Sequence, residues 1–365
     1  MSSKAISKKE RVAVAMSGGI DSSVAAAILK KEGYDVIGVT FRMWPKEECG
    51  QSAGRACCDL ESVTRARAVA GQLKMPYYVF DFSSEFKKEV IDYFCAQYAK
   101  GLTPNPCVIC NEKIKFGLLF GKARSLGASY LATGHYARVL KRGARYILRE
   151  GADKKRGQSY FLFSLAQEQL KRAVFPLGGL TKERCRVMAK RFGLMTYDTV
   201  SSQDICFAQD KRYADFIRRR TGIGIKPGEI VDSLGKVLGS HKGIPYYTIG
   251  QRRGLGIAFS QPLYVTAIDV KHNRIIVGIK KDVLKKSLIA EKLNWISRDG
   301  IKRPVRLTAM IRYNHKKVKA TVRPAGKGLV RVDFDKPQEA PTPGQAVVFY
   351  ERDVVVGGGW IVSAK

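Results

Sequence analysis

Three thiols and one glycine-rich turn stand out as the groups whose types and spacing could do chemistry. In TPNPCVICN (103–111), Cys107 and Cys110 are two residues apart, in a loop stiffened by two prolines. A CxxC pair serves as a redox couple, as half a zinc site, or as part of an iron–sulfur site. No second CxxC follows; the next relevant thiol is Cys206, in SSQDICFAQD. A zinc ion held by these three would need a fourth ligand, for which His135 is the nearby candidate by sequence.

The turn is SGGIDSS (17–23), set between the apolar run VAVAM and an Ala-rich segment. Gly18 and Gly19 would let the backbone approach an anion closely, and Ser17, Ser22 and Ser23 offer hydroxyls and amides. A helix starting there adds its dipole, which makes the turn a phosphate cradle. Asp21 could hold a divalent cation beside the phosphates. No GK[ST] follows, so this is not a Walker A loop. A lone SGG would read as a capped strand–helix turn, whereas SGGxDS in this context is far more specific.

The elements that must position these groups alternate along the first 135 residues. RVAVAM, YDVIGVTF, PYYVFDF and ASYLATGH are strand-like runs. Between them lie helical patterns at SSVAAAILKKEG, DLESVTRARAVAGQL, EFKKEVIDYFCAQYAKG and KIKFGLLFGKARSLG. Such alternation predicts a parallel sheet covered on both faces, with ligands at the carboxyl ends of its strands. The places to search are therefore the loops after Met16, Phe41 and Leu131. Residues 158–200 read as mostly helical. From about residue 222 short β-rich runs broken by Gly, Pro and Asn predict antiparallel hairpins in two small barrel-like modules. The division expected is 1–213, 214–280 and 281–365.

Charge narrows the partner. The chain has 365 residues with 65 Lys+Arg against 32 Asp+Glu, a net charge of +33. Residues 1–100 hold 15 basic and 12 acidic side chains, while 101–350 hold 48 and 18. A field so concentrated favours a polyanion, and nucleic acid leads over an anionic membrane surface, since no basic amphipathic helix stands out. Composition is otherwise that of a globular protein, with no apolar run long enough to cross a membrane and no secretory signal. Eight cysteines are too few for a disulfide framework, so a reducing cytosol is expected. Cys95 and Cys185 read as buried small hydrophobes, and Cys49, Cys57 and Cys58 as residues of a polar loop. His241, His272 and His315 read as surface or turn residues.

The SGGIDSS turn resembles that of the PP-loop ATP pyrophosphatases, which cleave ATP between the α and β phosphates. That resemblance implies an adenine nucleotide α-hydrolase-like domain, with Ala15, Met16, Ser17, Gly18, Gly19, Ile20, Asp21 and Ser22 around ATP and its Mg2+. Phe41 and Gly134 would complete the nucleotide site. SGGIDSS, TPNPxxxCN, ATGHYAR, QSYFL, SxDICF, TIGQRRGLGI, TPGQAVVFY and GGGWI together resemble the tRNA-specific 2-thiouridylases over essentially the whole chain. The resemblance implies an ATP-dependent tRNA-uridine 2-sulfurtransferase, acting on the wobble uridine and releasing AMP and pyrophosphate. Cys206 would carry a persulfide and Cys110 would be its catalytic partner, alongside Asp21. Asn105, Pro106 and Cys107 would face the target base; Arg156, Gly157, Gln158, Arg312 and Tyr313 would contact tRNA. Sulfur would come from a cysteine desulfurase, directly or through relay carriers, to a monomeric enzyme.

One position departs from the bacterial pattern: an acidic residue usually stands where this chain has Cys107. A third thiol opens a second scheme, with Cys107, Cys110 and Cys206 holding three irons of a [4Fe–4S] cluster and the fourth iron open to sulfide. Two other function classes compete. One is a PP-loop synthetase that adenylates a small metabolite, whose AMP formation tRNA would not stimulate. The other is a basic RNA-binding protein that uses ATP only as a structural ligand.

Overall fold

The computed structural model describes residues 7, 9–44, 60–198, 205–207, 213–221 and 225–365. Its first half is built on five parallel strands: β1 (Arg11–Ala15), β2 (Asp35–Arg42), β3 (Tyr77–Asp81), β4 (Ala128–Ala132) and, after a hairpin, the short β7 (Ala173–Val174). Their order in the sheet is β3-β2-β1-β4-β7. The centre of β1 is wholly buried, as a strand covered on both faces must be. One face packs α1 (Ile20–Lys31) and α2 (Leu60–Gln72) through Val24, Ala26, Ala66 and Val69. The other packs the helix over 83–99 and the helix over 106–125 through Phe86, Phe94, Ile114 and Leu119. Both of these helices contain π-helical stretches, at Lys87–Asp92 and Cys110–Leu119.

The hairpin of β5 (Ala137–Arg142) and β6 (Arg145–Glu150) lies inside the first stretch of chain, yet it joins the C-terminal sheet by pairing β6 with β17 (Val354–Ala364). Hairpin and α/β domain are thereby stitched to the barrel. That barrel closes six strands in the order β12-β15-β14-β13-β16-β17, with β12 paired back to β17. Its other five strands are β12 (Leu284–Trp295), β13 (Val305–Met310), β14 (Val318–Pro324), β15 (Val330–Glu339) and β16 (Ala346–Glu351). Alternation builds its interior: Val330, Val332 and Phe334 of β15 are buried, while Arg331 and Asp335 between and beyond them are exposed.

A smaller four-stranded sheet lies between the two, ordered β10-β11-β8-β9, from β8 (Gly228–Val231), β9 (Val237–His241), β10 (Tyr264–Asp269) and β11 (Arg274–Gly278). The β-rich architecture is as expected, but β8 and β11 pair in parallel rather than as a hairpin. The stretch 158–175, expected to be helical, holds only a 3-10 turn at Ser159–Leu162 and the helix Gln167–Arg172 before β7. Tyr160, Leu162, Phe163 and Leu165 are all buried there, so tertiary packing on every side replaces a single helical stripe. His241, expected at the surface, is 1% exposed, with Nε2 3.0 Å from the Asn273 carbonyl. Cys49, Cys57 and Cys58 lie outside the described residues.

Candidate active site

The start of α1 follows β1 through the turn at 16–19, and this geometry depends on glycine. Gly18 has φ +69°, and a Cβ there would lie 2.3 Å from the Ser62 carbonyl oxygen. Only glycine accepts both constraints. Gly134 plays the matching part at the end of β4, where a Cβ would meet Asp21 C and Ser22 N at 2.8 Å. The turn is held from inside as well: Ser22 Oγ and Ser23 Oγ each donate to the Gly19 carbonyl at 3.0 Å. Ser22 Oγ also accepts from Ser17 N–H at 3.2 Å. Behind it, Thr40 Oγ1 donates to the Met16 carbonyl at 2.6 Å.

This turn forms one end of a cavity of about 530 Å3. Ala15 through Ser22, Phe41 and Gly134 all border it, so the ten residues assigned to nucleotide from sequence converge on one space. Phe41 is 6% exposed and also packs on Phe82, ring centroids 6.0 Å apart, so it serves core and cavity together. Cys107, Cys110 and Cys206 border the same cavity. Nearly a hundred residues of chain separate Cys110 from Cys206, and the fold brings both to the nucleotide turn. Cys206 Sγ lies 3.7 Å from Met43 Sδ.

Cys110 opens the π-helical stretch, whose wider turn stacks residues five apart. Cys110 and Lys115 accordingly both face the cavity. Lys115 Nζ donates to Asn111 Oδ1 at 3.0 Å, and buried Asn111 donates through Nδ2 to the Phe161 carbonyl at 3.2 Å. Gln169 Nε2 donates to the carbonyls of Glu112 and Phe116, at 2.8 and 3.2 Å, which fixes this register from outside the helix. His135 borders the cavity too, its Nδ1 2.7 Å from Thr133 Oγ1. Burial holds His135 well below its ordinary pKa, and the charge of Lys115 acts in the same direction.

Asp21 is engaged differently from the cation-ligand expectation. Both of its oxygens accept from Lys182 Nζ, at 2.6 and 2.7 Å, and Oδ1 also accepts from the Tyr136 hydroxyl at 2.7 Å. Cys185, wholly buried as expected, also places its Sγ 3.4 Å from Oδ1. Burial, then the negative charge of Asp21, pushes the Cys185 thiol up to about 12. The same two causes raise Tyr136. Lys182 had no signal in the sequence, since its partner is 161 residues away.

Among the described residues, no group of three or more His, Cys, Asp or Glu is gathered closely enough to hold a metal ion. Among those residues the three thiols share a cavity without being gathered as a ligand set for zinc or a [4Fe–4S] cluster.

A second cavity, of about 440 Å3, lies where the α/β domain, the central module and the barrel meet. Asn105, Pro106, Cys107, Arg312 and Tyr313 border it, and Pro106 and Cys107 border both cavities. Tyr313 packs on Phe161 with ring centroids 4.4 Å apart, and Arg312 donates to the Glu339 carbonyl at 3.0 Å. Gln158 borders the first cavity and accepts from Tyr136 N–H through Oε1 at 3.0 Å. Arg156 and Gly157 lie on the preceding loop and line neither cavity.

Comparison with known proteins agrees over the whole length. Residues 10–210 match the tRNA methyl transferase HUP domain, 214–279 the tRNA methyl transferase PRC-barrel domain, and 285–361 the aminomethyltransferase beta-barrel domain. The tRNA-specific 2-thiouridylase MnmA of Moorella thermoacetica is 49% identical over 352 residues, covering 96% of this chain and 99% of that protein. The protein of the same name from Acetivibrio thermocellus is 48% identical over 356 residues, covering 97% and 99%. That from Carboxydothermus hydrogenoformans is 48% identical over 356 residues, covering 97% and 98%.

Proposed function

This chain belongs to the tRNA-specific 2-thiouridylase family, and from that membership we propose that it converts the wobble uridine of tRNA to 2-thiouridine with ATP. The observation that carries the reading is the first cavity, which joins the SGGIDSS turn to three cysteines in one space. The domain descriptions speak of methyl transfer, but a thiol-lined cavity facing an SGGIDSS turn favours sulfur transfer after adenylation.

The chemistry follows from the poor leaving ability of a uracil C2 oxygen. The turn's amides and the N-terminus of α1 cradle the polyphosphate, with Mg2+ arriving on the nucleotide. The C2 oxygen attacks the α-phosphate, pyrophosphate leaves, and the base is adenylated. Cys206 carries the incoming sulfur as a persulfide, supplied by a cysteine desulfurase or a relay carrier. The Cys110 thiolate attacks the Cys206 sulfur of that persulfide, forming a Cys110–Cys206 disulfide and expelling hydrosulfide. Hydrosulfide adds to C2, AMP departs with the oxygen, and a dithiol reductant restores both thiols. The base enters through the second cavity, between Asn105–Cys107 and the barrel residues Arg312 and Tyr313. One monomer would serve one tRNA.

The test is mass spectrometry of nucleosides from tRNA incubated with the protein, Mg-ATP, a persulfide donor and dithiol. New 2-thiouridine that requires ATP and Cys110 supports the proposal. AMP formation that tRNA does not stimulate would favour a synthetase acting on a small metabolite.

A further inference from the structure

Lys182 faces two partners with two different parts of itself. Its side chain, 4% exposed, forms the ion pair with Asp21 in the phosphate turn. Its backbone N–H donates to Asp153 Oδ2 at 2.9 Å. The other Asp153 oxygen accepts from the backbone N–H groups of Lys155 and Arg156, at 2.9 and 3.0 Å. Asp153 is itself 8% exposed. Charge-assisted hydrogen bonds at either end of Lys182, joined through its side chain, therefore link the phosphate turn to the basic segment 154–156. At its far end, the charges of Arg156 and Asp153 both reach the Tyr313 phenol of the barrel, at the second cavity.

Nucleotide binding must disturb this path. An arriving polyphosphate brings several negative charges to the turn that Asp21 already makes acidic. In a poorly solvated pocket these charges compete strongly for the one ammonium that Asp21 holds. Lys182 is the first residue of the helix Lys182–Arg191, capped by Thr181 Oγ1, which accepts from Arg184 N–H at 3.3 Å. A shift of its side chain therefore loads the first turn of that helix and, through its N–H, Asp153.

We propose that Lys182 is a positioning residue that couples occupancy of the phosphate turn to the grip of segment 154–156 on tRNA, with Asp153 as the link. The inference rests on the tRNA reading above and deepens it. Linkage makes the effect reciprocal: nucleotide raises tRNA affinity by the factor by which tRNA raises nucleotide affinity. An enzyme so built holds ATP more tightly when a base is present to receive the adenylyl group.

Fluorescence anisotropy of labelled tRNA, with and without Mg2+ and an α,β-methylene analogue of ATP, measures that factor directly. Wild-type protein should bind tRNA at least about fivefold more tightly with the analogue. Lys182→Met strands the Asp21 charge and risks the fold, so Asp153→Asn is the deciding variant. Its amide oxygen can still accept from Lys155 and Arg156, while its NH2 opposes the Lys182 N–H and cuts the path. The factor, taken as the ratio of tRNA affinities with and without the analogue in the same variant, should fall to about one. Lys182→Arg, which keeps the charge, should retain part of the factor. A wild-type factor of one, or a wild-type factor in Asp153→Asn, overturns the relay while leaving the tRNA reading intact. Absence of tRNA binding in every nucleotide state overturns both.

Discussion

An ion pair at the glycine-rich turn of the α/β domain is largely withdrawn from water, whereas a pair of similar geometry on the barrel stands in it. Lys182 and Asp21 form a pair with side-chain exposures of 4% and 28%. Arg306 and Asp335 on the barrel form a comparable pair at 60% and 38%. Removing one partner of the first leaves an uncompensated charge in a poorly solvated site; removing one partner of the second changes little beyond solvation. The difference matches the two tasks proposed above. Phosphoryl and sulfur chemistry need atoms fixed relative to one another, while attraction of a polyanion needs only a field of the right sign.

The largest effect that would sharpen this contrast is at the thiols. Cys110→Ala should lower 2-thiouridine formation by a factor of roughly 10^3 or more, by removal of a nucleophile. It should spare a first-turnover, tRNA-stimulated release of pyrophosphate, since adenylation uses the other end of the cavity and AMP leaves only with sulfur transfer. Parallel loss of both products, by nucleoside mass spectrometry and pyrophosphate release, would show that the two ends are not separable. Next comes Gly18→Ala, which puts a Cβ 2.3 Å from a backbone oxygen at φ +69°. ATP affinity should fall by about tenfold or more as the turn is pushed open, with tRNA affinity spared. Calorimetric titration with ATP decides it. A smaller effect belongs to the barrel: Arg312→Ala should weaken tRNA binding severalfold and flatten its salt dependence by about one unit of slope. Wild-type slope with weaker binding would mean that Arg312 acts on the fold of its cavity through the Glu339 carbonyl, not on phosphate.

The sequence carried the parts of this arrangement that are local. The turn at 17–23 could be read because glycine, serine and aspartate at those spacings have one joint use, and the strand–helix alternation set it at a strand's carboxyl end. The pairing of Cys110 with Cys206 came from motif resemblance alone, since no periodicity relates residues in a helix and a loop so far apart. Lys182 and Cys185 were invisible because their significance is tertiary: both meet Asp21 only after the Lys182–Arg191 helix packs on α1. Lys115 was missed for a subtler reason. Its approach to the cavity depends on π-helical spacing from Cys110, and an α-helical reading puts it on a different face. The hairpin β5–β6 escaped as well, because its partner strand is the last in the chain.

The smallest effect compares a histidine from each region. Burial is the first cause of lowered pKa at both His135, with Lys115 second, and His315, with Arg312 second; the shift is the larger at His135. A neutral buried histidine binds no proton in the native state at a pH where the unfolded chain, with its ordinary value of 6.5, does. Stability is therefore fully present above about pH 6.5 and declines as pH falls through that value. The limiting slope is about 1.4 kcal/mol per pH unit for each such group. Carboxylates with lowered values, among them Glu89 and Asp353, contribute only at lower pH, below their ordinary 4.5 and 3.8. The window between pH 6.5 and 5 thus isolates the histidines. His135→Gln, read by urea unfolding at pH 7 and pH 5.5, should remove the greater share of the loss, about 1 kcal/mol. His315→Gln should remove the lesser share. An unchanged pH slope in His135→Gln would mean that the imidazole is protonated in the native cavity, despite the opposing charge of Lys115.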